Sequence, residues 1–525
     1  MIKVLRKYLD IELITLSLMM AFIYCVLFNM VVFSYKFGYY KVTFLKAVLE
    51  LGKDFVYIYI FTFIIFLGLT IQRLIFITGT ILLFITGALA SYYLCYFKIS
   101  PTKEMIGSLL STHINELYEI TSSKLLIWLG VGIFIGIYSI KYFSFANNKL
   151  FIQKLLSFVC IVITITNIIA PQFKLLTQYF PIQYLHNSYL YFSMNKIIAA
   201  GYENINQNFA FIDKADDNLI VVLVIGESAR FDHLGINGYP KDTTPYLTTI
   251  TNLFSFKAQA SSNHTYIAVP SIMSRYSSKD LDKSLKETSF LSVFADLGFN
   301  TYWIGTQTLL QYLKSKKQST IYDEVKFVML PGGSTLLKMN DYDEKMLPYI
   351  EKFLDSSTGK QVIVVHMSGS HWNYSARYPK EFQKFTPGCN QIVKSDPSTC
   401  NIEGLVNDYD NSILYTDFFL FSLVKLLKNR NAFLIYVSDH AESLGENGYY
   451  GHGGPLIPEQ TTILLIVWVS DKFNMQHPEL VKSVKTYLGS ELSHDYIFHS
   501  ILDCAGIQST AINKNLSLCG KQRNG

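Results

Sequence analysis

The stretch NLIVVLVIGES, Asn218 to Ser228, is a run of apolar, largely β-branched residues that ends in a glycine, a carboxylate and a hydroxyl. Three further stretches have the same character: KQVIVVHMSGSH, NAFLIYVSDHAES and TTILLIVWVSD. Strands without polar alternation are typical of parallel sheets that helices cover on both faces. A long helix is predicted between two of them, over Leu405 to Lys428. These stretches therefore predict an α/β domain with a mostly parallel central sheet.

The rest of the chain has a different composition. Half of the 525 residues are hydrophobic and only 16% are charged, against roughly 25% charged in a usual soluble domain. The deficit is concentrated in the first third, where five apolar stretches approach the roughly 20 residues that a helix needs to cross the bilayer core. They run approximately over Ile14 to Tyr35, Phe55 to Thr70, Leu74 to Phe97, Leu125 to Ile140 and Phe151 to Ala170.

These observations predict three parts. A transmembrane domain of five helices covers residues 1–172, an aromatic-rich linker covers 173–217, and a soluble domain covers 218–525. The linker either lies at the membrane interface or packs as a helix on the soluble domain. Because no small-residue cleavage site follows the first apolar stretch, we expect it to be a retained anchor. The Lys and Arg residues of the short loops are evenly divided, so charge leaves the orientation open. The sequence contains no Lys/Arg-rich run, so nothing in it indicates a nucleic-acid partner.

Ionisable residues cluster where three of the predicted strands end. In open α/β sheets, ligands bind beyond the carboxyl ends of the strands, so we expect these side chains to meet at one edge. The residues concerned are Glu227 and Ser228, His366 and His371, and Asp439 and His440, with His452 following in the loop GHGGP.

Two serine-based mechanisms do not fit the spacing around Ser228. A nucleophile elbow needs G-x-S-x-G, and Arg230 stands where the second glycine would be. Sulfatases with a modified active-site residue carry Cys/Ser-x-Pro-x-Arg, but Arg230 and Asp232 occupy the proline and arginine positions.

A metal site accounts better for the cluster. Zinc accepts imidazole nitrogen and carboxylate oxygen, usually from four ligands, and can activate an oxygen nucleophile. Glu227, Asp439 and His440 would supply three ligands, with the acidified hydroxyl of Ser228 as the fourth and as the nucleophile. The alternatives are a simple Asp–His hydrogen bond and a helix cap formed by Glu227 or Ser228.

Two pairs of further residues extend this prediction. His371 and His452 would bind a second metal or stabilise charge on a phosphoryl group. Cys389 and Cys400 bracket a polar loop, and their spacing favours a disulfide in an oxidising compartment over a zinc site. The alternative is two free thiols in a cytoplasmic domain.

Several ordered motifs resemble one family. The pieces GESAR, NGYPKDTTP, HMSGSH, RYPKEFQKFTPGC, SDHAESLGENGYYGHGGP and SHDYIFHSILD are similar to the bacterial phosphoethanolamine transferases, which include lipid A-modifying and colistin-resistance enzymes. The resemblance covers nearly the whole chain. It implies five transmembrane helices in the inner membrane, followed by a periplasmic domain of the alkaline phosphatase superfamily.

The resemblance also implies roles for individual residues. Zinc is the implied cofactor, and Ser228 stands where the family commonly has a threonine that is ligand and nucleophile. His366 matches a position of less defined role. The other implied roles are zinc ligation by Glu227, Asp439 and His440, contact with the donor phosphate or a second zinc by His371 and His452, and a disulfide between Cys389 and Cys400.

The implied reaction moves phosphoethanolamine from phosphatidylethanolamine, through a covalent intermediate on Ser228, to lipid A or another envelope acceptor. The alternatives are a phosphoglycerol transferase or phosphodiesterase on the same scaffold, and a non-catalytic membrane scaffold. The chain departs from the family at Ser261 to Pro270, where SSNHTYIAVP replaces a Cys-Gly-Thr stretch, and at Ala441, which replaces a common glycine.

Overall fold

A computed structural model of the protein describes residues 10–39, 44–111, 121–141, 151–199, 205, 209–211, 218–284, 286–306, 325–329, 342–356, 358–389 and 400–520. The chain divides into two compact units. One, called here the helical unit, contains residues 1–107 and 121–194. The other, called here the α/β unit, contains residues 108–120 and 195–525.

Apolar helices make up most of the helical unit. The first begins at Asp10, whose carboxylate accepts hydrogen bonds from the backbone N–H groups of Glu12 and Leu13 and so caps the helix. Helix α1 (Ile11–Tyr24) continues through a π-helical turn (Cys25–Asn29) into α2 (Met30–Tyr39). The helices that follow are α3 (Phe44–Leu69), α4 (Arg73–Phe97), α5 (Lys103–Ser111), α6 (Ser123–Lys141), α7 (Phe151–Ile169) and α8 (Ile182–Ala199).

Four helices in the described part of the chain are long and apolar enough to cross a membrane. They are Ile11–Phe37, Phe44–Leu69, Arg73–Phe97 and Phe151–Ile169. The predicted span over Leu125 to Ile140 coincides with a shorter apolar helix, Ser123–Tyr138. The count of five spans therefore stays a prediction.

Residues of the predicted linker that follow α7 are buried within the helical unit. Tyr179 donates a hydrogen bond of 2.5 Å to the carboxylate of Asp54. Asn29 exchanges two hydrogen bonds of 2.9 Å with the backbone of Phe180. This part of the segment is thus held by polar contacts to apolar helices. Residues 200–204, 206–208 and 212–217 of the predicted linker lie outside the described residues, and the boundary at 172/173 stays a prediction.

The α/β unit contains an eight-stranded sheet of order β11-β3-β10-β7-β2-β6-β4-β5. Only β10 runs antiparallel to its two neighbours, so the sheet is mostly parallel, as predicted. The eight strands are β2 (Ile220–Gly226), β3 (Leu253–Gln259), β4 (Asn300–Gly305), β5 (Val325–Met329), β6 (Gln361–His366), β7 (Ala432–Ser438), β10 (Thr462–Val469) and β11 (Leu492–Ser493). Two short pairs flank it, β1 (Ala210–Phe211) with β12 (Ile507–Gln508) and β8 (Ser443–Leu444) with β9 (Tyr450–Gly451).

Helices cover both faces of this sheet. Every residue of β2, β6 and β7 is buried, which explains their continuous apolar sequences, since a fully buried Val, Leu or Ile side chain contributes roughly 1.5–3 kcal/mol. Val221 and Leu223 face one core, and Val222 and Val224 face the other. The helices are α9 (Thr265–Met273), α10 (Leu281–Ser284), α11 (Phe290–Asp296), α12 (Leu347–Ser356), α13 (Ile402–Leu427), α14 (Pro458–Thr461), α15 (Asp471–Gln476), α16 (Pro478–Thr486) and α17 (Asp495–Cys504).

Helix α13 confirms the helix predicted between two strands, and it begins three residues earlier than expected. Asn401 caps it by accepting a hydrogen bond of 2.6 Å from the backbone N–H of Gly404. Its buried apolar residues pack on the core that contains Val222 and Val224. Helices α9 and α17 pack on the other face of the sheet. The carboxyl ends of the central parallel strands lie between these layers.

Candidate active site

The predicted edge of the sheet lies at the ends of three adjacent strands. β2 is the central one, with β7 on one side and β6 on the other. In register, Gly226 pairs with Ser438 of β7, and Ile225 pairs with His366 of β6. The strands are parallel, so the residues that follow each of them emerge at the same edge.

The turn after β2 has two constrained positions. A Cβ atom on Gly226 would lie 2.1 Å from the hydroxyl oxygen of Tyr436, so only glycine fits there. Ser228 has a φ of 58°, a left-handed conformation that non-glycine residues rarely adopt. Such conformations persist where the surrounding contacts hold them, and they are common at functional sites.

Glu227, Asp439 and His440 form a buried donor group, called here the first donor group. One ligand atom from each lies within 4.8 Å of the others. Nε2 of His440 is 3.5 Å from Glu227 Oε1 and 3.3 Å from Asp439 Oδ2. Nδ1 of His440 lies 3.1 Å from the carbonyl oxygen of Ala441. Because that oxygen can only accept, the ring proton belongs on Nδ1, and the lone pair of Nε2 faces the two carboxylates.

This group has the character of a cation site. Oδ2 of Asp439 is buried and has no hydrogen-bond partner among the described residues. Burial raises the pKa of Asp439, and burial together with nearby His452 lowers the pKa of His440 to about 4. A divalent cation would offset the charge of the two buried carboxylates. Carboxylate oxygens and a neutral imidazole nitrogen are zinc ligands, so the residues fit zinc.

A second set of donors adjoins the first. His371 and His452 form one possible metal-binding group with Glu227, and His452 forms another with His440 and Glu442. The ring centroids of His440 and His452 are 4.0 Å apart, and those of His371 and His452 are 5.8 Å apart. Since the groups share residues, the donors make up one continuous cluster.

Glu442 is a member of the cluster that the sequence analysis missed. Its buried carboxylate accepts hydrogen bonds of 3.0 Å from both Ser228 and Tyr374, and it pairs with Nδ1 of His452 at 2.8 Å. Burial disfavours the charged forms of Glu442 and His452, but their mutual attraction outweighs it. The Glu442 carboxylate raises the pKa of His452 to about 9, and His452 lowers the pKa of Glu442. The signal was present in SDHAES, where a carboxylate follows His440 by two residues.

Two hydroxyl groups lie beside the first donor group. Oγ of Ser228 is 2.8 Å from Glu227 Oε1 and 3.5 Å from Nδ1 of His440. Oγ1 of Thr265, the first residue of α9, is 3.2 Å from Nε2 of His440 and 3.4 Å from Glu227 Oε2. The stretch SSNHTYIAVP was considered only as a departure from the family. The sole local signal for Thr265 is a hydroxyl at the start of a helix, where such residues usually act as caps.

The turn that carries His371 is held by a buried carboxylate. Asp343 accepts hydrogen bonds of 2.9 Å from the backbone N–H groups of Ser368 and Gly369. Gly369 has a φ of 45°, and a Cβ atom there would lie 2.9 Å from the backbone oxygen of Glu227. The backbone N–H of Ser370 donates to that same oxygen at 3.0 Å. The turn therefore packs directly on the first donor group.

His366 lies at the predicted edge but belongs to none of the donor groups found among the described residues. It is buried, its ring packs edge-on to Trp303 with centroids 6.0 Å apart, and neither ring nitrogen has a hydrogen-bond partner in the described part of the chain. Burial lowers its pKa to about 4, so it is neutral near pH 7.

The α/β unit contains two disulfides. Cys389 is bonded to Cys400, the pair that sequence analysis singled out. Cys504, at the end of α17, is bonded to Cys519, and no prediction covered this pair. The cysteines described in the helical unit, Cys25, Cys95 and Cys160, are free thiols. Disulfides confined to one unit fit an oxidising environment for that unit.

Comparison with known proteins identifies the family. Residues 220–507 match the model of the sulfatase family, and residues 59–192 match the model described as phosphoethanolamine transferase EptA/EptB. The chain belongs to the phosphoethanolamine transferases of the sulfatase family. Its fold is therefore that of the alkaline phosphatase superfamily, although it lacks the Cys/Ser-x-Pro-x-Arg motif of the sulfatases with a modified residue.

Relatives cover almost the whole of this transferase. It is 27% identical to a Kdo(2)-lipid A phosphoethanolamine 7''-transferase of Salmonella typhimurium, over 96% of each chain. The membrane protein lipooligosaccharide phosphoethanolamine transferase A of Neisseria meningitidis has the same fold, with a TM-score of 0.81 at 22% identity over 97% of this chain and 99% of that one. The periplasmic domain of EptC from Escherichia coli, solved in complex with Zn, gives a TM-score of 0.53 at 27% identity over 61% of this chain and 90% of that one.

The membrane location follows from these findings together. Four apolar helices precede most of the α/β unit, residues 59–192 match the phosphoethanolamine transferase EptA/EptB model, and the α/β unit is similar to a periplasmic domain at 27% identity. The transferase is an inner-membrane protein with its α/β unit in the periplasm. The Cys389–Cys400 and Cys504–Cys519 bonds agree with that compartment.

Proposed function

We propose that this transferase is a zinc-dependent enzyme that takes phosphoethanolamine from phosphatidylethanolamine and passes it to lipid A or another envelope glycolipid. The observation that carries the proposal is the first donor group with a hydroxyl beside it: Glu227, Asp439, His440 and Thr265. We further propose five membrane spans within residues 1–172, a linker over 173–217 and a catalytic domain over 218–525.

Glu227, Asp439 and His440 would hold the zinc ion. Bound zinc would lower the pKa of a neighbouring hydroxyl and offset charge on the transferred phosphoryl group. His371 and His452 would hold a second ion or contact the phosphoryl oxygens directly. The donor cluster that joins them through Glu227 supports either role.

We propose Thr265, rather than Ser228, as the nucleophile. The oxygen of Ser228 lies between two carboxylates, at 2.8 Å from Glu227 and 3.0 Å from Glu442, and an alkoxide there would face both negative charges. The oxygen of Thr265 lies beside the imidazole of His440 and at the N-terminus of α9. Backbone N–H groups and the helix dipole favour negative charge at that position, both on the alkoxide and on the phosphoryl oxygens.

The reaction would proceed in two displacements. Thr265 gives its proton to Glu227, at which its O–H is directed, and its oxygen attacks the phosphorus of phosphatidylethanolamine. The bond from phosphorus to the diacylglycerol oxygen breaks, and His452, which in this step contacts the phosphoryl group and binds no metal, supplies the proton that this oxygen takes. An oxygen of the acceptor, whose proton passes to His452, then attacks the phosphorus of the phosphothreonine, and Thr265 leaves and takes back the proton held by Glu227. Dividing one transfer into two steps is the general benefit of a covalent intermediate.

The test is the mass of lipid A from a Gram-negative host that expresses the full chain. We expect a phosphoethanolamine increment with the wild type and none with Asp439→Asn, which removes one ligand charge. Asp242→Asn is the matched control, because Asp242 is exposed and pairs with Lys384 at the surface. A glycerol phosphate increment on lipid A would contradict the proposed reaction. The absence of any increment, when the wild type is inserted in the membrane and loaded with zinc, would also contradict the proposed reaction on lipid A.

A further inference from the structure

The turn that joins β2 to the site is held in an unfavourable conformation. Ser228 has a φ of 58°, a left-handed conformation that residues other than glycine rarely adopt. The residue before Ser228 is Glu227, a member of the first donor group. The side-chain oxygen of Ser228 contacts that group through Glu227. Any relaxation of Ser228 would therefore displace a proposed zinc ligand.

The backbone N–H groups of this turn are all hydrogen-bonded. Those of Ser228 and Ala229 donate to residues at the end of β7, at 3.2 Å to Asp439 Oδ1 and 2.7 Å to Ser438 Oγ. The N–H of Arg230 donates at 2.9 Å to the hydroxyl of Tyr409, on α13. That hydroxyl donates in turn at 2.6 Å to the carbonyl oxygen of Ser228. One oxygen atom thus bridges the two ends of the turn.

Tyr409 is itself immobilised. It is fully buried, and its ring packs edge-on against Tyr374 and against His233, with centroids 5.2 Å apart in each case. The next residue of α13, Asp410, accepts hydrogen bonds from His233 at 2.8 Å and from Lys241 at 2.7 Å. Burial raises the pKa of the Tyr409 hydroxyl far above its usual value, so it remains a donor.

We propose that Tyr409 is a positioning residue that holds the Ser228 turn ready for metal binding and so preorganises Glu227. The proposal rests on the proposed zinc-dependent function. Tyr409 touches neither substrate nor metal, and its whole effect passes through the two hydrogen bonds of its hydroxyl. Removing that oxygen leaves a buried carbonyl and a buried N–H without partners beside the site, and the turn gains freedom to relax.

The test is Tyr409→Phe in the full-length, detergent-purified enzyme. The matched control is Tyr415→Phe, which removes from the same helix a buried hydroxyl that accepts a hydrogen bond of 3.4 Å from the backbone N–H of Glu344. Zinc affinity is measured by competition with a chelating dye, and coordination geometry by the visible spectrum of the cobalt-substituted protein. We expect a loss of about 10-fold or more in zinc affinity and an altered cobalt spectrum for Tyr409→Phe only, the size typical of supporting residues around a metal.

Equal zinc affinity and equal cobalt spectra in wild type and Tyr409→Phe would overturn the proposal, even if the thermal midpoint fell. Measuring metal affinity also separates a failure of the Tyr409 proposal from a failure of the proposed function. A wild type that binds zinc tightly but transfers no phosphoethanolamine would contradict the proposed function and leave the Tyr409 test valid. If Tyr409→Phe does not fold, amide exchange in wild type replaces it. Persistent protection of the Arg230 N–H after chelation supports the proposal, because the turn is then held without metal, and loss of protection overturns it.

Discussion

The hydroxyl of Thr265 lies 3.2 Å from Nε2 of His440, although 175 positions separate the two residues in the sequence. One begins helix α9 and the other follows strand β7. The contact brings a polar oxygen to the nitrogen that faces Glu227 and Asp439. It makes Thr265 a better candidate nucleophile than Ser228, which lies next to Glu227 in the chain.

The first prediction separates these two hydroxyls. With phosphatidylethanolamine and no acceptor, we expect wild type to gain the mass of one phosphoethanolamine group, located on the peptide that contains Thr265. Thr265→Ala should reduce transfer by at least about 1,000-fold, because the covalent route is lost. Thr265→Ser should keep a substantial fraction of activity. Labelling of Ser228, or full activity of Thr265→Ala, would return the role to Ser228.

The second prediction concerns metal removal. Chelation should abolish transfer and lower the thermal unfolding midpoint, because the charges of Glu227 and Asp439 are then buried without a cation. Readdition of zinc should restore both. Zinc content, measured by elemental analysis, should fall in Glu227→Gln and remain at the wild-type level in the surface variant Asp242→Asn. Full activity after exhaustive chelation would contradict zinc dependence.

The third prediction concerns pH. The Glu442 carboxylate raises the pKa of His452 to about 9, so His452 is protonated below that pH and loses its proton above it. If protonated His452 serves the leaving oxygen, the transfer rate should fall as pH rises through about 9. In Glu442→Gln the favourable charge is gone, so the fall should occur at lower pH. Rate profiles of both proteins at saturating donor are the measurement, and coincident alkaline limbs would exclude His452 as the acid.

The fourth prediction concerns the second disulfide. Cys504 and Cys519 are 15 positions apart and join the end of α17 to the C-terminal segment within one core. Closing a loop of this size stabilises a fold by about 3 kcal/mol, so the double Cys→Ser variant should unfold at a clearly lower temperature. The reduced wild type loses this bond and the Cys389–Cys400 bond together, so it should unfold at a temperature at least as low as that of the double variant. An unchanged midpoint in the double variant would show that the bond contributes little.

Much of the architecture could be predicted from local pattern. The strands β2, β6, β7 and β10 read as continuous apolar runs because both of their faces are buried. β3 was not predicted, since only two of its seven residues are buried and it has no such run. Nor could the direction of β10 be read, because a buried antiparallel strand has the same composition as a parallel one.

The site divides in the same way. Glu227, Asp439 and His440 stand directly after apolar strands, and parallel strands must deliver such residues to one edge, so their meeting was foreseeable. Thr265 was not foreseeable, because a threonine at a helix start has an ordinary local explanation, and the only local signal for Glu442 was a carboxylate two residues after His440. Their place in the site depends on how the segment after β7 turns back and on how α9 packs against the sheet. Those are consequences of contacts between residues far apart in the chain, and no local pattern carries them.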